Sequence, residues 1–237
     1  MQVVRSLLFT IIMWFNTILL AIASGLLIFF PFSVRAKYIQ LYPSFNIWIL
    51  KLICGVKFEV KGKENLPEDG NFILFSNHQS TWETFAFQLI FPPLCFVVKK
   101  ELLHVPLFGW ALAMLKPIAI KRSSGRVALK QLIEQGTERL KQGIVVVIYP
   151  EGTRIPPGVN SEYKKGGAIL AEKSGYPVVP VAHNAGYYWP KRGFMKKAGL
   201  ITVHIGKPVQ SKGRKAKEIL EEAKDYISSH IEPANYS

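Results

Sequence analysis

Between Arg5 and Arg35 the chain runs through 29 residues, Ser6 to Val34, without a formal charge. As a helix this stretch is about 43 Å long at about 1.5 Å per residue, against a hydrocarbon core of roughly 30 Å. A second apolar stretch, Tyr38 to Val56, is interrupted by Pro43 and Lys51. It suits an interfacial segment, or a return alongside the first helix, better than an independent span. Residues Met1 to Phe58 hold no acidic side chain, yet include Arg5, Arg35, Lys37, Lys51 and Lys57. Trp14, Tyr38, Tyr42 and Trp48 stand near the ends of these stretches, as expected beside anionic lipid. The alternative is a cleaved secretory signal, with Leu7–Leu20 as its apolar region and Ala21-Ile22-Ala23 as the cleavage site. Gly25–Phe32 continues apolar past that point and only one Arg precedes the run, so the segment reads as retained. The expected organisation is a hydrophobic helical membrane anchor over residues 1–57 and a second domain over 58–237.

The charge balance narrows the partners. The 237 residues carry 30 Lys+Arg against 16 Asp+Glu, a net charge of +14, and 49% are hydrophobic. That apolar fraction excludes a disordered chain, and two cysteines exclude a disulfide scaffold. A nucleic-acid partner would account for the charge but not for the uncharged segment, and no RRM or zinc signature accompanies it. A membrane surface answers both excesses. Lys191 to Lys217 adds nine basic residues and no acid, so some of these are expected to face anionic headgroups.

Beyond Lys57 the pattern changes to short apolar or β-branched runs separated by helical ones. Residues 72–76, 94–98, 118–121, 144–149, 178–182 and 201–205 read as strands covered on both faces. Residues 82–90, 126–142, 166–174 and 216–230 read as helices. This alternation predicts an α/β fold, a mostly parallel central sheet flanked by helices.

In such a sheet, functional groups collect at the carboxyl ends of the strands. Directly after the first run comes Asn77-His78-Gln79-Ser80-Thr81-Trp82-Glu83. With Ser80 or Thr81 capping the next helix, His78 lies in the turn and folds back onto Glu83 in the first helical turns. An imidazole oriented by a carboxylate is what a general base requires. Neither a zinc set nor a G-x-S-x-G elbow is present, and Cys54 and Cys95 read as core thiols. After the fourth run comes Tyr149-Pro150-Glu151-Gly152-Thr153-Arg154. Here Gly152 permits close backbone approach, Thr153 and Arg154 offer hydrogen-bond donors suited to a phosphate, and Glu151 is suited to order the loop through backbone N–H groups or a cation; a salt-bridged turn is the alternative reading. Lys100 and Arg122 follow two further strands, and Lys164 and Lys165 open the next helix near the same rim. His104 has a Leu-rich setting that suggests packing, and His183 and His204 show no recognisable partner.

Together these segments resemble the 1-acyl-sn-glycerol-3-phosphate acyltransferases of the glycerolipid acyltransferase family. NHQSTWE resembles the family's N-H-x4-D block, with His78 at the base position and Glu83 replacing the usual Asp. KKELLHVPLFG with AIKR resembles the second block through Arg122. YPEGTR resembles F-P-E-G-T-R, with Tyr149 a mild change for Phe, and VVPVA resembles the fourth block through Pro180. The resemblance spans about Lys57 to Lys207. It implies His78 and Glu83 as catalytic residues, and Arg122, Glu151, Gly152, Thr153, Arg154, Lys100 and Lys165 as the phosphate-binding set. It also implies lysophosphatidic acid and membrane lipids as partners, and acyl-CoA or acyl carrier protein as co-substrate. No bound cofactor and no metal are expected, since a thioester is already activated. The expected location is a bacterial-type inner membrane, with the catalytic domain on the cytoplasmic face. The competing readings are an acyltransferase for another lysolipid or for glycerol 3-phosphate, and a non-catalytic module that binds anionic lipid.

Overall fold

The computed structural model describes residues 1–27, 29–68, 70–91, 93–105, 108–191 and 193–234; for 24–27, 32, 33, 36, 108 and 122 it describes the backbone alone. Two long helices come first, α1 (Gln2–Leu27) and α2 (Phe32–Cys54). They pack side by side, with Thr17 Oγ1 and Tyr42 Oη 2.7 Å apart across the pair. Thus the interrupted stretch returns alongside the first. Helix α2 continues through Pro43 because α1 and α3 (Trp82–Ile90) hold it, the latter through an edge-on Tyr42–Phe85 contact. It ends at Gly55, whose φ of +72° completes a left-handed cap and whose absent Cβ would press on Ala198.

Among the described residues seven strands follow in one sheet: β1 (Val56–Lys61), β2 (Ile73–Ser76), β3 (Leu94–Lys99), β4 (Ile118–Ile120), β5 (Val145–Ile148), β6 (Val178–His183) and β7 (Gly199–Ile205). The order is β1-β7-β6-β2-β5-β3-β4, parallel throughout except between β6 and β7. The expected α/β class therefore holds. Strand β1 starts at Val56, so the expected seam between residues 57 and 58 falls inside a strand. That strand was missed because Lys57, Glu59 and Lys61 break its apolar run. Alternation with Val56, Phe58 and Val60 marks it as an edge strand.

Side chains alternate between two cores. Leu74, Val147 and Val179 face Trp82, Phe85 and Phe87 of α3, and with them Phe9 of α1 and Leu50 and Cys54 of α2. Ile73, Phe75, Val146 and Ile148 face α5 (Gly125–Lys141), α6 (Gly166–Ser174) and α7 (Ala216–Ser229). A short α4 (Phe108–Ala113) lies against α1. The N-terminal helices thus share a core with the sheet. Fully burying a side chain of Phe9's or Leu50's size contributes about 1.5–3 kcal/mol, which fixes the helices to the body.

Candidate active site

Strands β2 and β5 pair in parallel, Ile73 with Val146 and Phe75 with Ile148, so the loops at their carboxyl ends open on one rim. The β2 loop carries His78, whose side chain is 16% exposed, and the first turn of α3 carries the fully buried Glu83. One oxygen, Glu83 Oε1, accepts the N–H groups of Gln79 (3.0 Å) and Ser80 (2.8 Å) and lies 2.7 Å from His78 Nδ1. An oxygen receiving two amide donors acts as an acceptor toward Nδ1, which therefore carries the proton. Nε2 keeps its lone pair. Burial alone would raise the Glu83 carboxyl. The imidazoles of His183 and His78 and the Ser80 N–H outweigh it and hold the group below the usual carboxylate range. Just ahead of the N-cap residue Thr81, Ser80 Oγ accepts the Trp82 N–H at 3.0 Å.

The turn after β5 forms the opposite wall. His78 donates its backbone N–H to Glu151 Oε2 (2.9 Å) and accepts the Ile155 N–H on its carbonyl (2.7 Å). Tyr149 stacks on the His78 ring, centroids 4.0 Å apart and planes 12° apart, and Phe96 lies parallel to Tyr149 with centroids 6.4 Å apart. A parallel ring limits rotation of the imidazole and offers its negative face to an imidazolium. Gly152 has φ +69°, and a Cβ there would lie 2.8 Å from Lys164 Nζ, so this glycine both makes the turn and admits an ammonium over it. Thr153 Oγ1 and the Arg154 carbonyl accept from Lys191 Nζ at 3.1 and 2.9 Å. Arg154 Nε is buried without a hydrogen-bond acceptor among the described residues.

Of the expected phosphate set, Gly152, Thr153 and Arg154 lie in the turn whose Tyr149, Glu151 and Ile155 contact His78. Glu151 accepts the His78 N–H, as its expected ordering of the loop requires, but a carboxylate there would repel a phosphate, so it leaves the phosphate set and orders the His78 loop. Burial pushes it up to about 7. Lys100 is exposed in a 3-10 turn after β3, one strand beyond β5. Arg122 opens the turn after β4 on the same rim, its side chain outside those described. Lys165 is exposed just before α6, and its neighbour Lys164 is the lysine over Gly152.

Three histidine expectations change. His104 is exposed, because it sits in a surface turn and not in a core. His183 is fully buried, with Nε2 3.0 Å from the Asn77 carbonyl and Nδ1 accepting the Ala185 N–H at 3.2 Å. Asn77 and the His183 backbone exchange two more bonds, of 2.8 and 3.1 Å. His204 pairs with Glu232 at 2.7 Å and ties the C-terminal tail to β7. Both cysteines are buried, as expected of core thiols, and burial pushes Cys95 up to about 12. Sequence reasoning missed Asn77, His183 and Lys191 as supports. The one visible signal was Asn77 standing directly before His78.

A carboxylate-oriented imidazole whose Nε2 has no partner among the described residues, in a loop bonded to a basic glycine turn on an α/β sheet, is an arrangement that can serve acid–base group transfer. The acyltransferase family profile matches residues 57–184, which hold His78, Glu83 and the whole Glu151–Arg154 turn. The chain belongs to this family and is an acyltransferase. A 1-acyl-sn-glycerol-3-phosphate acyltransferase of Pseudomonas aeruginosa is 47% identical over 93% of this chain and 86% of its own length. One of Saccharomyces cerevisiae is 33% identical, over 80% of this chain and 64% of its own. The crystal structure of the 1-acyl-sn-glycerophosphate acyltransferase PlsC from Thermotoga maritima superposes with a TM-score of 0.77, at 27% identity and full coverage of both chains.

Proposed function

We propose that this chain transfers an acyl group from an acyl thioester, acyl-CoA or acyl carrier protein, to the sn-2 hydroxyl of 1-acyl-sn-glycerol 3-phosphate, giving phosphatidic acid. The observation that carries the reading is His78, with Nδ1 held by Glu83, no partner on Nε2 among the described residues, and its backbone bonded to Glu151 of the glycine turn. The names of the Pseudomonas and yeast relatives support the acceptor. Nε2 takes the hydroxyl proton as the oxygen attacks the thioester carbonyl carbon. Nδ1–H stays on Glu83, whose charge offsets the imidazolium. The tetrahedral intermediate then collapses, the C–S bond breaks, and the departing sulfur receives the proton from Nε2. A positioned base of this kind contributes about 10²–10⁴-fold.

Arg154, with the Lys164 and Lys191 ammoniums and Thr153, holds the acceptor's phosphomonoester. Lys100, Lys165 and Arg122 on the same rim serve its approach. The reading assigns no metal or bound cofactor, because the thioester is already activated and the base is organic.

The helical pair seats the site at the membrane. Ser6 and Phe9 of α1 and Leu50 and Cys54 of α2 are buried in the body. Ile11, Trp14, Phe15, Ile18 and Ile22 are exposed, and Phe29 beyond them is 90% exposed. Ile11 to Leu27 extends about 25 Å, short of the roughly 30 Å core, which fits a hairpin dipping into the cytoplasmic leaflet of a bacterial-type inner membrane. Extracting a lipid costs about 0.8 kcal/mol per CH₂, so lateral entry favours such a seat.

The test uses detergent-purified protein, 1-acyl-sn-glycerol 3-phosphate and radiolabelled acyl-CoA or acyl carrier protein, beside His78→Ala. Labelled phosphatidic acid from the wild type alone supports the reading. Retention of more than a few per cent of turnover by His78→Ala overturns the base assignment.

A further inference from the structure

The segment after β6 crosses from the site to α1 and closes on itself. Gly193 donates its N–H to the Pro190 carbonyl (3.0 Å) and Lys197 to that of Tyr188 (2.8 Å). Inside it lies a lysine that the basic run had suggested was on the surface: Lys196 is 3% exposed. Its Nζ donates to Thr10 Oγ1 and to the Phe194 carbonyl, both at 2.9 Å, and stands 5.3–5.4 Å from the rings of Phe9, Trp189 and Phe194. Among the described residues no carboxylate pairs with it. Its backbone N–H donates to Ser6 Oγ (2.9 Å) and its carbonyl accepts from Gln2 Nε2 (2.8 Å). Gln2, Ser6 and Thr10 recur every four residues, so one stripe of α1 grips this single lysine.

The other end of the segment reaches the active site, where Lys191 bonds Thr153 and the Arg154 carbonyl. Between the two lysines, Phe194 and Met195 are each 45% exposed, while Lys191 and Lys197 bring positive charge to the surface. The Phe194 carbonyl shares the Lys196 ammonium with Thr10, so the tip stands level with that residue. Just beyond Thr10, α1 turns its exposed Ile11, Trp14 and Phe15 outward. Apolar tips flanked by lysines, beside the exposed apolar face that α1 carries from Val3 to Ile22, match an anionic membrane interface in charge and polarity.

We propose that residues 193–197 form a second membrane contact, which places Phe194 and Met195 in an anionic lipid interface, and that with Lys191 they link α1 to the Thr153–Arg154 turn. The link to the turn rests on the proposed function; the membrane contact does not. A loop held at one end by the anchor and at the other by the phosphate turn makes lipid seating and acceptor binding one event.

The test labels Met195→Cys in the full chain with an environment-sensitive dye. The two native cysteines are buried, which confines the label to that position. The protein is reconstituted in phosphatidylcholine vesicles with or without phosphatidylglycerol. The expected result is blue-shifted emission quenched by lipid-borne nitroxide, stronger with the anionic lipid. Emission as in water, quenched by aqueous iodide alone, overturns the contact. A second arm compares Phe194→Ser/Met195→Ser with wild type on a vesicle-borne acceptor and on a short-chain, water-soluble one. The expectation is KM up about tenfold on vesicles, with the soluble acceptor turned over as before. An equal loss on both acceptors, or none on either, overturns the link. If no acyl transfer occurs at all, the proposed function fails and the dye still decides the contact.

Discussion

His78 donates its backbone N–H to Glu151 Oε2 at 2.9 Å, so the carboxylate of the glycine turn holds the loop that carries the proposed base. The two blocks, 73 positions apart in the chain, therefore form one unit, in which the imidazole is fixed by Glu83 and its backbone by Glu151. Glu83 is fully buried and Glu151 half-buried, and the two respond in opposite directions. Glu83 gathers donors and falls below the usual range. Glu151 has one backbone donor and the Glu83 charge nearby, and burial drives it up to about 7.

Glu151 should consequently leave a pH signature on stability. Its folded-state value of about 7 lies above the ordinary 4.5, so the folded form binds this proton more tightly than the unfolded form does. The associated stability is present below about 4.5 and is lost as pH rises through about 7. Glu151→Gln keeps an acceptor for the His78 N–H without the charge. The stability of Glu151→Gln relative to wild type should therefore grow between pH 5 and 8, by at most about 3 kcal/mol. Urea unfolding at the two pH values measures it, and a pH-independent gap contradicts the assignment.

Glu83 acts through charge and reach together. Glu83→Gln still offers one oxygen to the Gln79 and Ser80 N–H groups, but it cannot offset an imidazolium and its N–H₂ adds unpaired donors. We expect kcat to fall by about 10²-fold or more with KM little changed. Glu83→Asp keeps the charge one methylene shorter, and a small shift of the loop can restore the Nδ1 contact, so kcat should stay within about tenfold of wild type. Steady-state kinetics on both variants decide the point. Inactivity of the Asp variant would assign Glu83 a further role.

The contact between His78 and Glu83 could be read from sequence because it is local: a strand end, a hydroxyl cap and a carboxylate in the first helical turn leave little choice of geometry. The sheet could be read too, since strands covered on both faces form continuous apolar runs. What escaped was carried by pairing across the chain. Asn77 and His183 meet because β2 and β6 are neighbours, which follows from strand order and not from either residue's surroundings in sequence. Lys196 lies in a run of basic residues that reads as solvated, and only the docking of α1 encloses it. Strand β1 was hidden by its charged face, although its alternation was present in the sequence.

Tyr149 separates a ring's contribution from a hydroxyl's. Its ring stacks on His78, but its Oη is buried without a hydrogen-bond partner among the described residues, and burial pushes the phenol well above its ordinary value. Removing an unpaired hydroxyl relieves a desolvation penalty, so Tyr149→Phe should be neutral or stabilising by up to about 1 kcal/mol, with kcat unchanged. Tyr149→Leu removes the shelf and should lower kcat about tenfold. Thermal unfolding and kinetics on the pair check this, and a large loss in the Phe variant would give the hydroxyl a role in turnover.

His183 supports the base loop from the neighbouring strand, and its protonation state follows from its bonds. Nδ1 accepts the Ala185 N–H, so Nε2 carries the proton given to the Asn77 carbonyl, and the ring is neutral. Burial, the largest influence, holds it below the ordinary 6.5. His183→Ala leaves the Asn77 carbonyl and the Ala185 N–H without these partners and opens space beside Phe87 and Trp82, whose rings lie 5.8 and 6.2 Å away. The expected cost is about 2–4 kcal/mol at neutral pH. Because the folded value is depressed, the stabilisation from the neutral ring is present above 6.5 and is lost as pH falls through the folded value. The gap between wild type and His183→Ala should thus narrow in acid. Denaturant unfolding from pH 8 to 5 measures it, and a gap that widened in acid would mean that His183 is charged in the folded protein.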